Sequence, residues 1–483
     1  MKSTRRDFLK QAGRVSLITL GVPYPGRTEE PTSDRPDIVL FIADDMAWHD
    51  CQPYGSSAVK TPNMSKLAKE GMCFDAMFTS TAMCAPTRQQ LYTGLYPVRN
   101  GAYPNHSCVH DNVKSLAHYL NALGYRVGLK GKRHFGPENC FPFEYLGGRH
   151  HDGGEGLDLD LRKTESFITR DSKHPYCLIV ASNQPHAPWN RSLQGIAYQP
   201  EAIEIPPYLV DTPATRRLLC RYYHEITYAD KQLGECMDIA ERLGRPDRTL
   251  FLFTSEQGSQ FPFGGKWTCY DTGLKTSFIV RWPGKISPNS RTDAMTQYVD
   301  VVPTLIEAAG GNPTDFKPGR TDAFGNSGFD GRSFLKVLSG KARTHRDYVY
   351  GVHTTRGIIG GSDCYPIRSI RSERYKYIWN LNWQEPFDNS IIGQPPMMSW
   401  QRFGENDPAI AARAKFYQHR PEEELYDIQN DPWELNNRAE ADDLMAIKVD
   451  LRRKLLDWMK QQGDEGLETE MQALSRQASG DDR

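Results

Sequence analysis

The sequence predicts an α/β fold, a doubly wound sheet followed by a smaller C-terminal α+β domain, and three observations carry that prediction. Short apolar runs rich in β-branched residues alternate with stretches of helical period, the pattern of strands joined by crossover helices. Four of the runs end in polar residues, and the carboxyl edge of such strands is where open α/β sheets bind ligands. Near residues 313–331 the chain becomes rich in Gly, Pro, Asp and Asn, which marks a loop or domain junction.

In order along the chain, Ile38 to Ile42 is the first strand and ends at Asp44-Asp45. Helical patterns cover Pro62 to Glu70 and Val113 to Leu123; the strand Tyr125 to Leu129 then ends near Lys132 and His134. Cys177 to Ala181 leads to His186. A long helix over Thr215 to Leu243 places Leu218, Leu219, Tyr222, Ile226 and Leu233 near helical spacing, the stripe of a core-facing helix. The strand Thr249 to Phe253 delivers Glu256-Gln257, and a further helix spans Val301 to Ala309. These elements give a catalytic α/β domain over 31–330. The remainder, 331–483, holds the alternating Tyr375-Lys376-Tyr377-Ile378-Trp379, the turn Asn430-Asp431-Pro432, a late helix with Leu444, Ile447, Leu451, Leu455 and Met459, and a loose tail ending Gly480-Asp481-Asp482-Arg483.

A chain of 483 residues has ample material for a core of this size. Lysine plus arginine number 59 and aspartate plus glutamate 60, so no field of one sign argues for nucleic acid. No stretch approaches the roughly 20 apolar residues of a membrane span, which argues against a transmembrane anchor. Residues 1–30 carry Arg5-Arg6-Asp7-Phe8-Leu9-Lys10 before a short apolar stretch, and resemble a twin-arginine export signal. That resemblance implies the twin-arginine machinery as a partner and a bacterial periplasmic or extracellular location. The ten cysteines show neither paired metal spacing nor a dense disulfide pattern, which makes most of them small buried hydrophobes.

Cys84 has a different context. Pro86 suits the first residue of a helix and Thr93-Gly94 its stop, so Cys84 is expected just before a helix N-terminus, where unpaired N–H groups and the dipole favour an anion. Arg88 lies four residues on and faces the same way. Asp44-Asp45 and Glu256-Gln257 offer carboxylate and amide oxygens without histidine or thiolate clusters, a donor set for a hard cation, Ca²⁺ or Mg²⁺. Lys132 and His134, following a strand, can supply a cation and a proton shuttle.

Cys84-Ala85-Pro86-Thr87-Arg88 with Thr93-Gly94 resembles the signature of type I sulfatases. The resemblance implies an alkaline-phosphatase-like mixed sheet, and oxidation of Cys84 to formylglycine by a dedicated maturase before folding. It also implies an aldehyde hydrate whose one hydroxyl attacks sulfur while the other is later deprotonated to expel sulfate. One Ca²⁺ would be held by Asp44, Asp45, residue 84, Glu256 and Gln257. The family expects aspartate then asparagine or histidine in the second pair, so Glu256-Gln257 in Thr254-Ser255-Glu256-Gln257-Gly258 is a departure with an extra methylene in each side chain. Gly131-Lys132-Arg133-His134 matches a family element, and His186 and Lys266 occupy the leaving-group side.

Further segments, among them Gly131 to Glu138, Asp211-Thr212-Pro213-Ala214, Tyr365 to Ser369 and Trp379 to Asn382, are similar to the branch containing heparan N-sulfatase, or sulfamidase. The expected substrate is a sulfated sugar, with glucosamine N-sulfate of heparan-type glycans first. His353, Arg356 and Arg368 are candidate substrate contacts. Three alternatives stay open: another glycan exo-O-sulfatase, a phosphodiesterase or phosphonate hydrolase of the same superfamily, and a catalytically dead glycan-binding relative.

Overall fold

The central strand of the main sheet reads Asp37-Ile38-Val39-Leu40-Phe41-Ile42-Ala43, and every one of its residues is buried. Alternate side chains leave a strand on opposite faces. Val39 and Phe41 therefore join one apolar layer with Leu219, Ile226 and Leu233 of the long helix Pro213–Leu243, while Ile38, Leu40 and Ile42 join another with Tyr119, Val302 and Leu305. A strand buried on both faces needs cover on both, which the crossover helices provide.

The computed structural model describes residues 35–149 and 158–477, so the export-type segment and the last tail residues lie outside the described residues. Nine strands form the main sheet: β1 (Asp37–Ala43), β2 (Met72–Phe78), β3 (Arg126–Gly131), β4 (Glu144–Tyr145), β5 (Tyr176–Ala181), β6 (Thr249–Ser255), β7 (Lys275–Arg281), β8 (Ser290–Thr292) and β9 (Thr296–Gln297). Their order is β4-β3-β5-β1-β6-β7-β2-β8, with β9 beside β2. Only β7 runs against its neighbours β6 and β2, so the sheet is mixed. The four strands expected to end in functional residues are adjacent, β3-β5-β1-β6, which brings their carboxyl ends to one edge.

A second, antiparallel sheet contains β10 (Val349–His353), β11 (Ile367–Arg371), β12 (Tyr375–Asn380) and β13 (Glu423–Asp427). The late helix Met445–Gln462 covers it, with Leu451, Leu455 and Trp458 against Ile370, Tyr377 and Leu425. Trp458 stacks on Tyr350 with ring centroids 4.7 Å apart. The Val352 amide donates to Ser80 O at 2.7 Å, tying this sheet to the segment that precedes Cys84. Among the described residues no helix is long and apolar enough to cross a membrane.

The helix Pro62–Glu70 has no capping side chain of its own at Thr61. Asp230 from the long helix takes that role: Oδ1 accepts from Met64 N at 2.8 Å, and Oδ2 from Asn63 N at 3.0 Å. It is buried, so Asp230→Ala leaves orphaned donors in the interior. The expected loss is about 1–3 kcal/mol, read as a lowered urea midpoint; an unchanged midpoint would refute the capping role.

Candidate active site

Hydrogen bonds continue the sheet ladder one step past the strands. Asp44 N donates to Gln184 O, Glu256 N to Ala43 O and Lys132 N to Ala181 O, all at 2.9–3.0 Å. Each residue's backbone is thereby fixed relative to its neighbour. Asp45 then turns back with a φ of 62°, a left-handed conformation uncommon for a residue other than glycine. His106, His134, Phe263 and Trp267 share that conformation in loops around the same site. Such backbone persists where the surroundings over-determine it, and here it clusters at one place.

The helix Cys84–Thr93 enters from the other side, after β2. It begins at Cys84 rather than at Pro86, because the first turn needs no N–H partners and tolerates proline two residues further in. It ends at Gly94 with a φ of 71°. All ten of its residues are buried, including the run Thr87-Arg88-Gln89-Gln90. The polar side chains fasten the surrounding segments, two of them the stretch Thr79–Thr81. Thr87 donates to Thr81 O; Gln90 Oε1 accepts from Thr79 Oγ1 and Ser80 N; Arg88 Nε lies 2.6 Å from Glu256 Oε2.

The structure brings Asp44, Asp45, Cys84, Arg88, Lys132, Glu256, Gln257, His186 and Lys266 together. Lys132 Nζ donates to Asp44 Oδ2 at 2.5 Å, and Lys266 Nζ to Asp45 Oδ2 at 2.5 Å. The Cys84 thiol lies 3.9 Å from Asp45 Oδ1, and Gln257 Nε2 lies 2.7 Å from that oxygen and 3.4 Å from Cys84 Sγ. Lys266 Nζ is 3.1 Å from His186 Nε2, and His186 Nδ1 lies 2.5 Å from the Ala187 carbonyl. With Nδ1–H donating to that carbonyl, Nε2 is the acceptor for the lysine.

Burial is severe: Cys84, Asp44, Asp45, Arg88, Lys132, Glu256, Gln257 and Lys266 are each at most 3 % exposed. The exception is His186, whose side chain is 21 % exposed. Burial pushes the Asp44 carboxyl up, but the charges of Lys132, His186 and Arg88 and a hydrogen bond with Glu256 outweigh it and hold it far below the usual carboxylate range. Glu256 moves the other way, raised by burial and by the neighbouring Asp44 charge despite Arg88. Burial lowers Lys132 and Lys266, yet their aspartate partners more than restore them, so both stay charged.

One ligand atom each from Asp44, Asp45, Cys84 and Glu256 lies within 4.8 Å of all the others. Gln257 Oε1 is buried without a hydrogen-bond partner, while its Nε2 points at Asp45, Cys84 and Glu256. An amide's oxygen and nitrogen exchange by a flip; with a cation present the oxygen would face the carboxylates. The residues therefore fit a hard cation. With Glu256 ionised against Arg88 and a bound cation, three carboxylates and three side-chain cations would balance, and a divalent ion would leave the cluster net positive and ready for an anion.

His134 is buried close by and pairs with His106, a residue that no sequence pattern singles out. Of the candidate substrate contacts, Arg368 is fully buried and paired with Asp464, with Nε 2.5 Å from its carboxylate. That is a structural ion pair with no surface left for a ligand. His353 is also fully buried, against Phe387. Arg356 donates to Asp363 O at an exposed position. Among the described residues none of these three joins the hydrogen-bond network of Cys84: His353 and Arg368 are closed in by their own packing, and Arg356 reaches Asp363 instead.

A family model described as sulfatase matches residues 36–311, more than half of the chain. The chain belongs to the sulfatase family. A second family model, described as the C-terminal part of N-sulphoglucosamine sulphohydrolase, matches residues 260–389 of this sulfatase. An ulvan-active sulfatase of Formosa agariphila is 35 % identical over 89 % of the chain and 81 % of its own length. Human N-sulphoglucosamine sulphohydrolase is 27 % identical over 88 % and 90 %. The fold is also that of a solved protein in complex with its substrate D-glucosamine-2-N,6-O-disulfate, with a TM-score of 0.67, 19 % identity, and coverage of 90 % of this chain and 99 % of that one. A phosphonate monoester hydrolase of Agrobacterium radiobacter shares it at a TM-score of 0.66 and 20 % identity, covering 90 % and 97 %. The sulfatase is thus a sulfuric ester hydrolase with an alkaline-phosphatase-like fold.

Proposed function

We propose that this sulfatase removes a sulfate or sulfamate group from a sugar of an anionic glycan, using formylglycine made from Cys84 by a maturase. The observation that carries this reading is Cys84 at the first turn of a buried helix, with Asp45 and Gln257 against its sulfur and Lys266 and His186 beyond. As formylglycine, residue 84 would supply a hydrated aldehyde, a nucleophile that can also release the sulfate. Asp44, Asp45, Glu256 and Gln257 would hold a calcium ion, which would neutralise charge on sulfate oxygens.

The chain's own side chains divide the remaining work. Arg88 and Lys132, fixed by Glu256 and Asp44, stabilise negative charge without reorganising. His134 holds or accepts a proton at the nucleophile. His186, oriented by Ala187 O and bonded to Lys266, protonates the departing oxygen or nitrogen. The acidic cluster contains no histidine among the described residues, which does not support a transition-metal phosphodiesterase.

Glucosamine N-sulfate is the first substrate of this proposal, supported by the C-terminal family match and the human relative. The higher identity to the Formosa enzyme favours a second reading, an O-sulfate ester of an ulvan-type polysaccharide. Sulfate release from N-sulfated glucosamine, 6-O-sulfated glucosamine and ulvan oligosaccharides, measured in parallel, separates them. Release from the first alone supports the N-sulfatase reading; release only from ulvan oligosaccharides sinks it. The basic segment at residues 5–10 supports export through the twin-arginine machinery to the periplasm or beyond.

A further inference from the structure

His134 and His106 face each other with Nε2 of the first 3.1 Å from Nδ1 of the second and ring centroids 4.9 Å apart. Their loops lie 28 residues apart in sequence, and one side chain bonds to both. Gln89, next to Arg88 on the Cys84 helix, donates through Nε2 to Ser107 O at 2.7 Å. Its Oε1 accepts from Val109 N at 3.1 Å and from Gly136 N at 3.4 Å. Val109 N also donates to Gly136 O at 2.9 Å, joining the two loops directly. From the outside Arg476 donates to Gly101 O and Cys108 O, and Gln477 to Asn105 O. Both histidines are held at positive φ, 54° for His106 and 51° for His134. Packing on two sides therefore imposes a conformation that neither residue favours, and the product is the contact between the two imidazoles.

The pair spans a boundary. His134 is only 3 % exposed, whereas His106 lines a cavity of about 360 Å³ together with Arg133, Glu138, Arg476 and Gln477. The Glu138 carboxylate at its mouth is 88 % exposed, so this cavity meets solvent. We propose that His106 is the positioning and proton-relay residue of His134. This rests on the sulfatase reading and adds a path to it. When His134 takes a proton from the nucleophile at Nδ1, its Nε2 proton passes to His106 Nδ1, and His106 releases its own Nε2 proton to water in the cavity. Each imidazole ends as the other neutral tautomer; one proton has left the site and no other bond has changed. The hydrogen bond also fixes the plane of the His134 ring.

The test uses the full chain and 4-nitrophenyl sulfate as the probe. H106A is expected to lose about 10- to 100-fold in kcat with KM within about twofold, the scale seen when the partner that orients a functional histidine is removed. H106Q, which keeps a polar group, is expected to recover part of the orientation but to show a displaced pH profile. Free imidazole, which the cavity can hold, is expected to restore part of the H106A rate and none of the H134A rate. An H106A enzyme with wild-type kcat and pH profile would overturn the relay, as would H106A that loses rate without any response to imidazole. A second measurement does not depend on turnover. In protein labelled with ¹⁵N-histidine, a shared imidazole proton should appear in wild type and vanish in both H106Q and H134Q. If wild type releases sulfate from neither 4-nitrophenyl sulfate nor N-sulfated glucosamine, the sulfatase reading fails by itself while this signal still decides the pairing; its absence from wild type overturns the inference.

Discussion

Cys84→Ala is expected to lower sulfate release by about 10⁴-fold or more, the scale seen when a covalent nucleophile is removed, with little change in unfolding midpoint. The side chain is small, and the two groups that contact its sulfur, Asp45 Oδ1 at 3.9 Å and Gln257 Nε2 at 3.4 Å, keep a hydrogen bond to each other without it. Stability and activity should therefore part company. Cys84→Ser tests the chemistry more sharply, because an ordinary hydroxyl lacks the second oxygen of a hydrate. Full turnover in that variant would end the formylglycine reading. Mass spectrometry of the wild-type peptide around residue 84 provides the direct check. Replacing the CH₂–SH group by an aldehyde removes one sulfur and two hydrogens and adds one oxygen, a loss of about 18 Da from cysteine. An unmodified thiol in active enzyme would be equally decisive against it.

Asp44→Ala should strike both properties at once. Asp44 is the partner of Lys132 at 2.5 Å and lies 3.8 Å from Arg88, all three buried. Removing it strands Lys132 in the interior and leaves Arg88 to Glu256 alone; deleting one partner of a buried pair costs about 3–5 kcal/mol. It also removes a ligand from the proposed cation site. Wild type should gain stability as calcium is added, by about 2.7 kcal/mol at a hundredfold excess over Kd, and should lose that gain to a chelator. The variant should start from a lower urea midpoint and show no calcium response. A variant that unfolds like wild type, or that calcium still stabilises fully, would refute the assignment of Asp44.

The strands at the centre of the sheet were legible because they are buried on both faces, so Ile38–Ile42 and Cys177–Ala181 read as unbroken apolar runs. Their polar termini were legible for the same reason, as abrupt ends to those runs. β7 was not singled out. Its apolar run is only Phe278-Ile279-Val280, set between Lys275-Thr276-Ser277 and Arg281, and direction within a sheet leaves no mark on side-chain periodicity. The helices Pro395–Gly404 and Pro408–Gln418 also escaped. They are amphipathic only against tertiary partners, with Trp400 and Tyr417 packed around Phe263.

Within the site, residues that carry charge and end a strand were found, whereas those that act through neutral hydrogen bonds were not. Thr87, Gln89 and Gln90 carry no charge, yet each is fully buried; Thr87 and Gln90 bind the Thr79–Thr81 segment, and Gln89 binds the loops of Ser107 and Gly136. His106 sits in a loop whose only distinction is its spatial partner. Arg368 misled in the opposite sense: an arginine in a family-like run proved to be half of an interior pair with Asp464. Burial and pairing are properties of the assembled chain, and spacing along the sequence does not encode them.

The depth of the Cys84 helix imposes a timetable. With the thiol 3 % exposed and every residue from Cys84 to Thr93 buried, a maturase that must grip this segment has access only while the main sheet is unassembled. Under the formylglycine proposal, modification and folding would compete on the nascent chain, and molecules that fold first would be excluded from activation. A cell that makes the chain faster than it can be oxidised would accumulate stable, correctly folded, inert protein. The active fraction of a preparation should follow the ratio of maturase to newly made chain, whatever its purity on a gel.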